Sequence, residues 1–190
     1  MIIASALAVA GYRIDKAHHA ILGTRPDYGP SAISSVPNLA AIDRLIWVPG
    51  LDEGWAPQGL TTAAGDLFVS AYRRRRFAQS RGPCRVFRID PATGRELARI
   101  DVPAPCGHAG GLAYAGGKTL YLADTHTLFA VDWTAAAPQF RVIPLGPGVK
   151  GALAASGQGE IGLGAYEEGR PGRILKYRTT VLDGIEDGAV

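Results

Sequence analysis

An internal repeat constrains the fold of this chain more than any other feature of its sequence. Three short apolar segments, each following a glycine-rich turn, occupy residues 67–70, 120–123 and 161–164. A second family of apolar segments follows them in the same order, at residues 86–89, 128–131 and 174–177. Matched segments that recur in one order at a period of about 40–50 residues indicate a repeated supersecondary unit.

Two further segments complete each unit. Small residues open a strand at Gly59, Gly111 and Gly151, and each opening follows an apolar stretch that ends in proline, at Pro49, Pro103 and Pro144. In chain order, strand A opens at the glycine, strands B and C are the first and second apolar families, and strand D ends in proline. Four short strands in one unit match a β-propeller blade, and the 25 glycines and 13 prolines fit many tight turns. The sequence predicts an all-β propeller of four-stranded antiparallel blades, with about three blades present. The alternative is a β-sandwich with evenly spaced strands.

The blades are predicted to occupy residues 41–180. Residues 1–40 are predicted to form an N-terminal lead-in. Its apolar first stretch, residues 1–10, is either a signal-peptide remnant or a buried strand. Residues 181–190 are predicted to begin a further strand. No stretch is long and apolar enough to predict a membrane span.

Two local features connect the repeat to a known family. The run Pro57-Gln58-Gly59-Leu60 precedes the first B strand, and Asp90-Pro91-Ala92-Thr93-Gly94 provides a C-to-D hairpin turn. With the blade order, these features resemble the six-bladed propellers of the gluconolactonase/SMP-30, strictosidine-synthase-like and paraoxonase-like superfamily. Six blades would need roughly 270 residues, so the resemblance implies a partial propeller.

The same resemblance implies a lactonase- or esterase-like hydrolase acting on a small molecule, with calcium as the expected cofactor. The calcium enzymes of these families use a Glu, Asn and Asp cluster at the channel. This chain has one asparagine, Asn38, which lies outside the clear repeats. Their metal ligands therefore do not transfer residue by residue.

Strand direction sorts the polar residues onto two faces. In antiparallel blades, the D-to-A and B-to-C connections emerge on one face, which is predicted to carry the site. Gln58 and His108 precede innermost strands and are predicted to point toward the central channel. His108 is either a general base or metal ligand, or a hydrogen-bonding cap of the channel. The predicted substrate contacts on this face are Gln58, Tyr72, Arg73 and Tyr166.

Asp124 departs from the repeat, because it ends a B strand where the equivalent residues are Ala71 and Ala165. It is predicted to act as a catalytic acid or, with Glu53 or Glu167, as a ligand of a hard cation such as calcium. Alternatively, its carboxylate accepts hydrogen bonds from the loop that follows it.

Charge argues against a nucleic-acid partner. The net charge is only +3, and four of the cations form one run at residues 73–76 in a B-to-C loop. The run is either an anion-binding loop or a solvated one.

The two cysteines, Cys84 and Cys106, fall on the same predicted face. They are either a disulfide or two separate thiols, and they lack the spacing of a zinc site. A disulfide, together with the apolar N-terminus, predicts an extracytoplasmic protein.

Two functions remain open at this point. One is an extracytoplasmic hydrolase of the lactonase or esterase type, in which His108 and Asp124 act on the substrate. The other is a noncatalytic propeller that binds a protein, a glycan or a small molecule at the mouth of the channel. Architecture alone does not choose between them.

Overall fold

A computed structural model describes residues 21–28, 41–73, 82–165, 169 and 171–185, and this part of the chain is built almost wholly from β-strands. A short parallel pair comes first, β1 (Ile21–Leu22) and β2 (Leu45–Ile46). A 3-10 turn at Leu51–Glu53 then leads into the sheets. The described helices include none long and apolar enough to cross a membrane.

Three antiparallel sheets follow, and within each sheet neighbouring strands are consecutive in the chain. The first sheet contains β3 (Trp55–Ala63), β4 (Asp66–Arg73), β5 (Cys84–Ile89) and β6 (Glu96–Val102). The second contains β7 (Gly111–Tyr114), β8 (Thr119–Asp124), β9 (Thr127–Asp132) and β10 (Phe140–Pro144). The third contains β11 (Leu153–Gly157), β12 (Glu160–Ala165) and β13 (Arg173–Arg178). The predicted all-β class and the four-stranded antiparallel units are confirmed for the first two sheets.

The third unit departs from the predicted pattern on either side of its strands. In the first two sheets the opening glycines pair with the B strand, Gly59 with Ser70 and Gly111 with Ala123. In the third sheet Leu153 holds this place, opposite Gly164. The alignment of Gly151 with the other two glycines was therefore wrong by two residues, because Gly151 instead forms a bridge with Thr125.

The strand predicted to begin at Val181 is also wrong over its described part. Thr179–Asp183 forms a short α-helix, α1, and its Leu182 is buried. Arg141 of β10 anchors this segment by donating hydrogen bonds to the carbonyls of Leu182 and Ile185. These tertiary contacts outweigh the β-propensity of the segment.

The sheets pack face to face through apolar side chains. One cluster joins the first and second sheets and includes Phe68, Val86, Leu122 and Phe129. A second joins the second and third sheets and includes Tyr121, Leu128, Ile161 and Leu163. The outer face of the first sheet buries Trp55, Val69 and Phe87 beneath Ile46 and Val48. Alternate residues of each strand thus face opposite neighbours, as the period of two requires.

The inner strands β3, β7 and β11 approach one another at glycines. A Cβ added to Gly59 would lie 2.5 Å from the backbone nitrogen of Leu112. A Cβ added to Gly111 would lie 2.1 Å from the nitrogen of Ala154. Only glycine permits backbones to approach so closely, which explains why glycine holds the equivalent positions Gly59 and Gly111 of β3 and β7.

Tyr121 joins the second sheet to the α1 segment, because its hydroxyl donates a 2.5 Å hydrogen bond to the Asp183 carboxylate. Burial, followed by this bond, raises the pKa of Tyr121 well above its usual range. As pH rises above about 10, the unfolded tyrosine ionises first, so the stability that the protonated hydroxyl contributes is present below pH 10 and is lost above it.

We predict that Tyr121→Phe lowers the free energy of unfolding by about 1 kcal/mol at neutral pH, and that this deficit shrinks above pH 10. Urea unfolding of both proteins at a series of pH values measures the difference, in which the other tyrosines cancel. A deficit that is constant from pH 7 to pH 11 would show that Tyr121 titrates normally.

Candidate functional site

Five of the residues predicted to share one face do lie together. Tyr72 is the penultimate residue of β4, the B strand of the first sheet, and pairs with Cys84. Its ring stacks on His108, with centroids 5.2 Å apart and planes 22° apart. Cys84 is joined to Cys106, and the backbone at His108 is bound by Asp124. The face assigned from strand direction thus becomes a local cluster at the junction of the first two sheets.

Asp124 holds the loop that precedes β7. Its Oδ1 accepts hydrogen bonds from the backbone N–H groups of His108 (2.6 Å) and Ala109 (3.0 Å), and its Oδ2 accepts one from Gly107 (3.0 Å). The residue is 8% exposed. The bonds therefore come from the preceding D-to-A loop, and the prediction that they come from the loop after Asp124 was wrong. Three donors on one buried carboxylate fix the position of His108.

The disulfide between Cys84 and Cys106 is confirmed. Their Cα atoms are 5.9 Å apart, 22 residues separate them, and both side chains are buried in the cluster between the first two sheets. The bond ties the C strand of the first sheet to the D-to-A loop that carries His108. It therefore anchors the same loop a second time, close to Asp124, whose carboxylate lies within 4.8 Å of both sulfurs.

Removing this disulfide is expected to lower the free energy of unfolding by about 3 kcal/mol, because the unfolded chain without the cross-link gains conformational entropy. The measurement is urea unfolding of the oxidised wild type and of the double variant Cys84→Ala, Cys106→Ala. Equal stabilities would contradict the prediction, and two free thiols in protein made in an oxidising compartment would show that the bond does not form.

The described residues around Asp124 do not fit a calcium ion. The oxygens of Asp124 face N–H donors, whereas calcium takes six to eight oxygen ligands. Among the described residues, the one cluster with metal-ligand geometry comprises Cys84, Cys106 and Asp124, and both of its sulfurs are in the disulfide. Glu167, the second predicted ligand, and Tyr166 lie outside the described residues. Among the described residues, Asp124 therefore serves as an acceptor for the loop and not as a calcium ligand.

A cleft of about 260 Å³ opens beside this cluster. Its lining residues come from the D-to-A loop and from the turn between β8 and β9: Pro105, Gly107, His108, Asp124, Thr125, His126 and Thr127. The β8–β9 turn is tight, with Thr125 at φ 44°, and it places His126 in the lining. Two histidines therefore line one small cleft.

His126 was not selected from the sequence as a site residue. The available signal was its position: it follows Asp124 by two residues, in the connection that leaves a B strand on the site face. The two-residue turn that directs it to the cleft is visible only once β8 and β9 are paired.

Gln58 and Arg73 make other contacts. The amide of Gln58 donates to the carbonyl of Pro57, at an irregularity in the pairing of β3 with β4. Arg73 donates through Nε to the carbonyl of Glu53, which joins β4 to the 3-10 turn. Neither residue borders the cleft, and their predicted roles in substrate binding stay predictions. The rest of the arginine run, residues 74–76, lies outside the described residues.

Comparison with protein-family models and with curated proteins gives no match to this chain.

Proposed function

We propose that the three sheets are consecutive blades of a β-propeller, as the family resemblance implies. The support is the order of strands from inner to outer, the face-to-face packing of successive sheets, and the close approach of the inner strands at Gly59 and Gly111. Each of these is a property of blades arranged around an axis. The disulfide favours an oxidising, extracytoplasmic compartment.

The function that this geometry supports best is binding of a small polar molecule in the cleft between His108 and His126. One observation carries the proposal: the Asp124 carboxylate and the disulfide both fix the loop that presents His108. A site held in place before the ligand arrives loses less entropy on binding. The stacked Tyr72 ring further restricts the imidazole of His108.

The cleft chemistry indicates the ligand class. Two imidazoles and the hydroxyls of Thr125 and Thr127 supply donors and acceptors of hydrogen bonds, and the described residues of the lining include no lysine or arginine. A hydroxylated molecule, such as a sugar, a lactone or a hydroxy acid, matches these groups. The cleft volume of about 260 Å³ suits a small molecule such as a monosaccharide or a lactone.

Hydrolysis of a lactone or ester is the second candidate, and the presence of two imidazoles on one cleft favours it. One imidazole can accept a proton from water as the water attacks the carbonyl, and the other can donate a hydrogen bond to the oxygen that becomes negative. The tetrahedral intermediate then collapses with cleavage of the bond between the carbonyl carbon and the alkoxy oxygen, and the leaving oxygen takes the proton from the first imidazolium. In this reaction Asp124 is a positioning residue, because its oxygens hold the backbone at His108.

Ligand-observed NMR with δ-lactones, their ring-opened hydroxy acids and monosaccharides tests the proposal. We expect saturable binding by the wild type and at least tenfold weaker binding by His108→Ala and His126→Ala. Lys176→Ala is the matched control, since Lys176 lies on the third sheet, outside the cleft. Binding that is unaffected by both histidine changes would overturn the cleft as the site.

The same samples separate the two candidates. Lactone hydrolysis above the buffer rate that disappears in His108→Ala supports the enzyme, whereas binding of lactone without turnover supports the binding module. The absence of binding for every compound class, with the fold intact by circular dichroism, contradicts both.

A further inference from the structure

The two ends of the stack of sheets expose apolar residues whose repeat equivalents are buried. On the face of each sheet that points to the next one, the C strands carry Val86, Leu128 and Ile174 at equivalent positions. Val86 is 1% exposed and Leu128 is fully buried, each against the following sheet. Ile174 is 70% exposed. Beside it, on the inner strand of the third sheet, Leu153 is 48% exposed.

The first sheet, at the opposite end of the stack, also exposes an apolar residue whose equivalent is buried. Leu60 pairs with Val69 on the outer face of the first sheet, and its equivalent in the second sheet, Leu112, pairs with Leu122. Leu112 is 2% exposed because it packs against the first sheet, whereas Leu60 is 63% exposed. Each end thus carries one half of the contact that joins successive sheets.

The strands present at the two ends are also complementary. In the described residues the third sheet has three strands, and no strand pairs with the free edge of β13. At the other end, β2 belongs to the family of outer strands that end in proline, since it leads into Val48 and Pro49. Ile46 and Val48 pack against the first sheet as the outer strand of a preceding blade would. Within the described part of the chain, an outer strand without inner strands therefore precedes the first sheet, and the third sheet has inner strands without an outer strand.

We infer that a second copy of this chain binds head to tail, with the first sheet of one copy packed on the third sheet of the other. In this arrangement β2 of one copy lies beside β13 of its partner and completes that sheet as its fourth strand. The contact continues the two sheet-to-sheet interfaces already present within the chain. Head-to-tail binding rests on the proposed arrangement of the sheets as blades and is independent of the ligand in the cleft.

The geometry also sets the number of copies. A head-to-tail contact is heterologous, so it gives a closed ring or an open chain. Two copies bring together six sheets, which lies within the range of four to eight blades that closed propellers have. Closure buries both apolar ends and covers both strand edges, which otherwise favour uncontrolled pairing.

Sedimentation velocity on the full chain, at concentrations from about 1 to about 100 μM, tests this contact. We expect a dimer for the wild type and a monomer for both Leu60→Glu and Ile174→Glu, which place a charge in the same contact from opposite sides. Val181→Glu is the matched control and should remain dimeric, because Val181 is 52% exposed on α1, whose Leu182 packs in the cluster between the second and third sheets. Leu60→Ser and Ile174→Ser repeat the test if a glutamate variant misfolds.

Mixing the two monomeric variants distinguishes a contact between a first and a third sheet from a contact between two like sheets. Leu60→Glu keeps an intact third sheet and Ile174→Glu keeps an intact first sheet, so an equimolar mixture should form a heterodimer through one unmodified contact. A wild type that stays monomeric throughout the range would overturn the inference. So would Leu60→Glu that remains dimeric, because third sheets would then pair with each other. Neither result bears on ligand binding in the cleft, which is measured separately.

Discussion

Asp124→Ala is expected to lower the free energy of unfolding by about 3–5 kcal/mol and to abolish ligand binding in the cleft. The change removes one carboxylate but leaves the backbone N–H groups of Gly107, His108 and Ala109 without their acceptor. Each unsatisfied buried donor costs about 1–3 kcal/mol, and water entering the space recovers part of the loss. Urea unfolding monitored by tryptophan fluorescence measures the stability.

Asp124→Asn is the matched control, because it keeps the shape of the side chain. Its carbonyl can still accept the two bonds now made to Oδ1, but its amide group faces the N–H of Gly107 with a second donor. We therefore expect an intermediate loss of about 1–2 kcal/mol. If Ala and Asn are equally mild, below about 0.5 kcal/mol, the carboxylate does not organise the loop, and the preorganised site loses its main support.

Gly111→Ala is expected to cost about 3 kcal/mol or more, although it adds only one methyl group. The new Cβ would lie 2.1 Å from the nitrogen of Ala154 and 2.6 Å from the carbonyl carbon of Leu153, both in the backbone of β11. A side chain can rotate away from such a contact, but a paired strand cannot. The second and third sheets must then separate, which loosens the apolar cluster between them.

Gly157→Ala provides the control on β11, the neighbouring inner strand that Gly111 approaches, because a Cβ at Gly157 would meet no atom within 4 Å. This change should be close to neutral, within about 0.5 kcal/mol, in the same urea experiment. Similar losses at Gly111 and Gly157 would indicate a general cost of alanine in these strands rather than contact between inner strands. A Gly111→Ala variant as stable as the wild type would show that β7 and β11 leave room for a methyl group at this position.

The sequence predicted the sheets well because their signal is local. Alternating apolar residues, glycine turns and the Asp90 hairpin specify strands and their order without reference to distant contacts. The register of the third unit could not be obtained in this way. A glycine followed by small residues occurs at 151 as at 59 and 111, and only the pairing of Leu153 with Gly164 shows which residue opens the strand.

The site was predicted in part, for a related reason. Strand direction placed Tyr72, Cys84, Cys106, His108 and Asp124 on one face, and the structure brings them into contact there. The partners of Asp124 were missed because a carboxylate has the same sequence signature whether it binds a cation, a substrate or backbone N–H groups. His126 was passed over because a turn residue shows its direction only when both flanking strands are in place.

The sequence by itself determined the repeat, and through it the all-β class, the strand order and the face on which the polar residues gather. These follow from periodicity and turn chemistry, which act over a few residues. Only the tertiary structure decided the disulfide, the triple anchoring of the loop by Asp124, the helix at Thr179–Asp183 and the closeness of the inner strands at Gly111. Each of these depends on backbone atoms brought together from distant parts of the chain, and no local pattern records their separation in space.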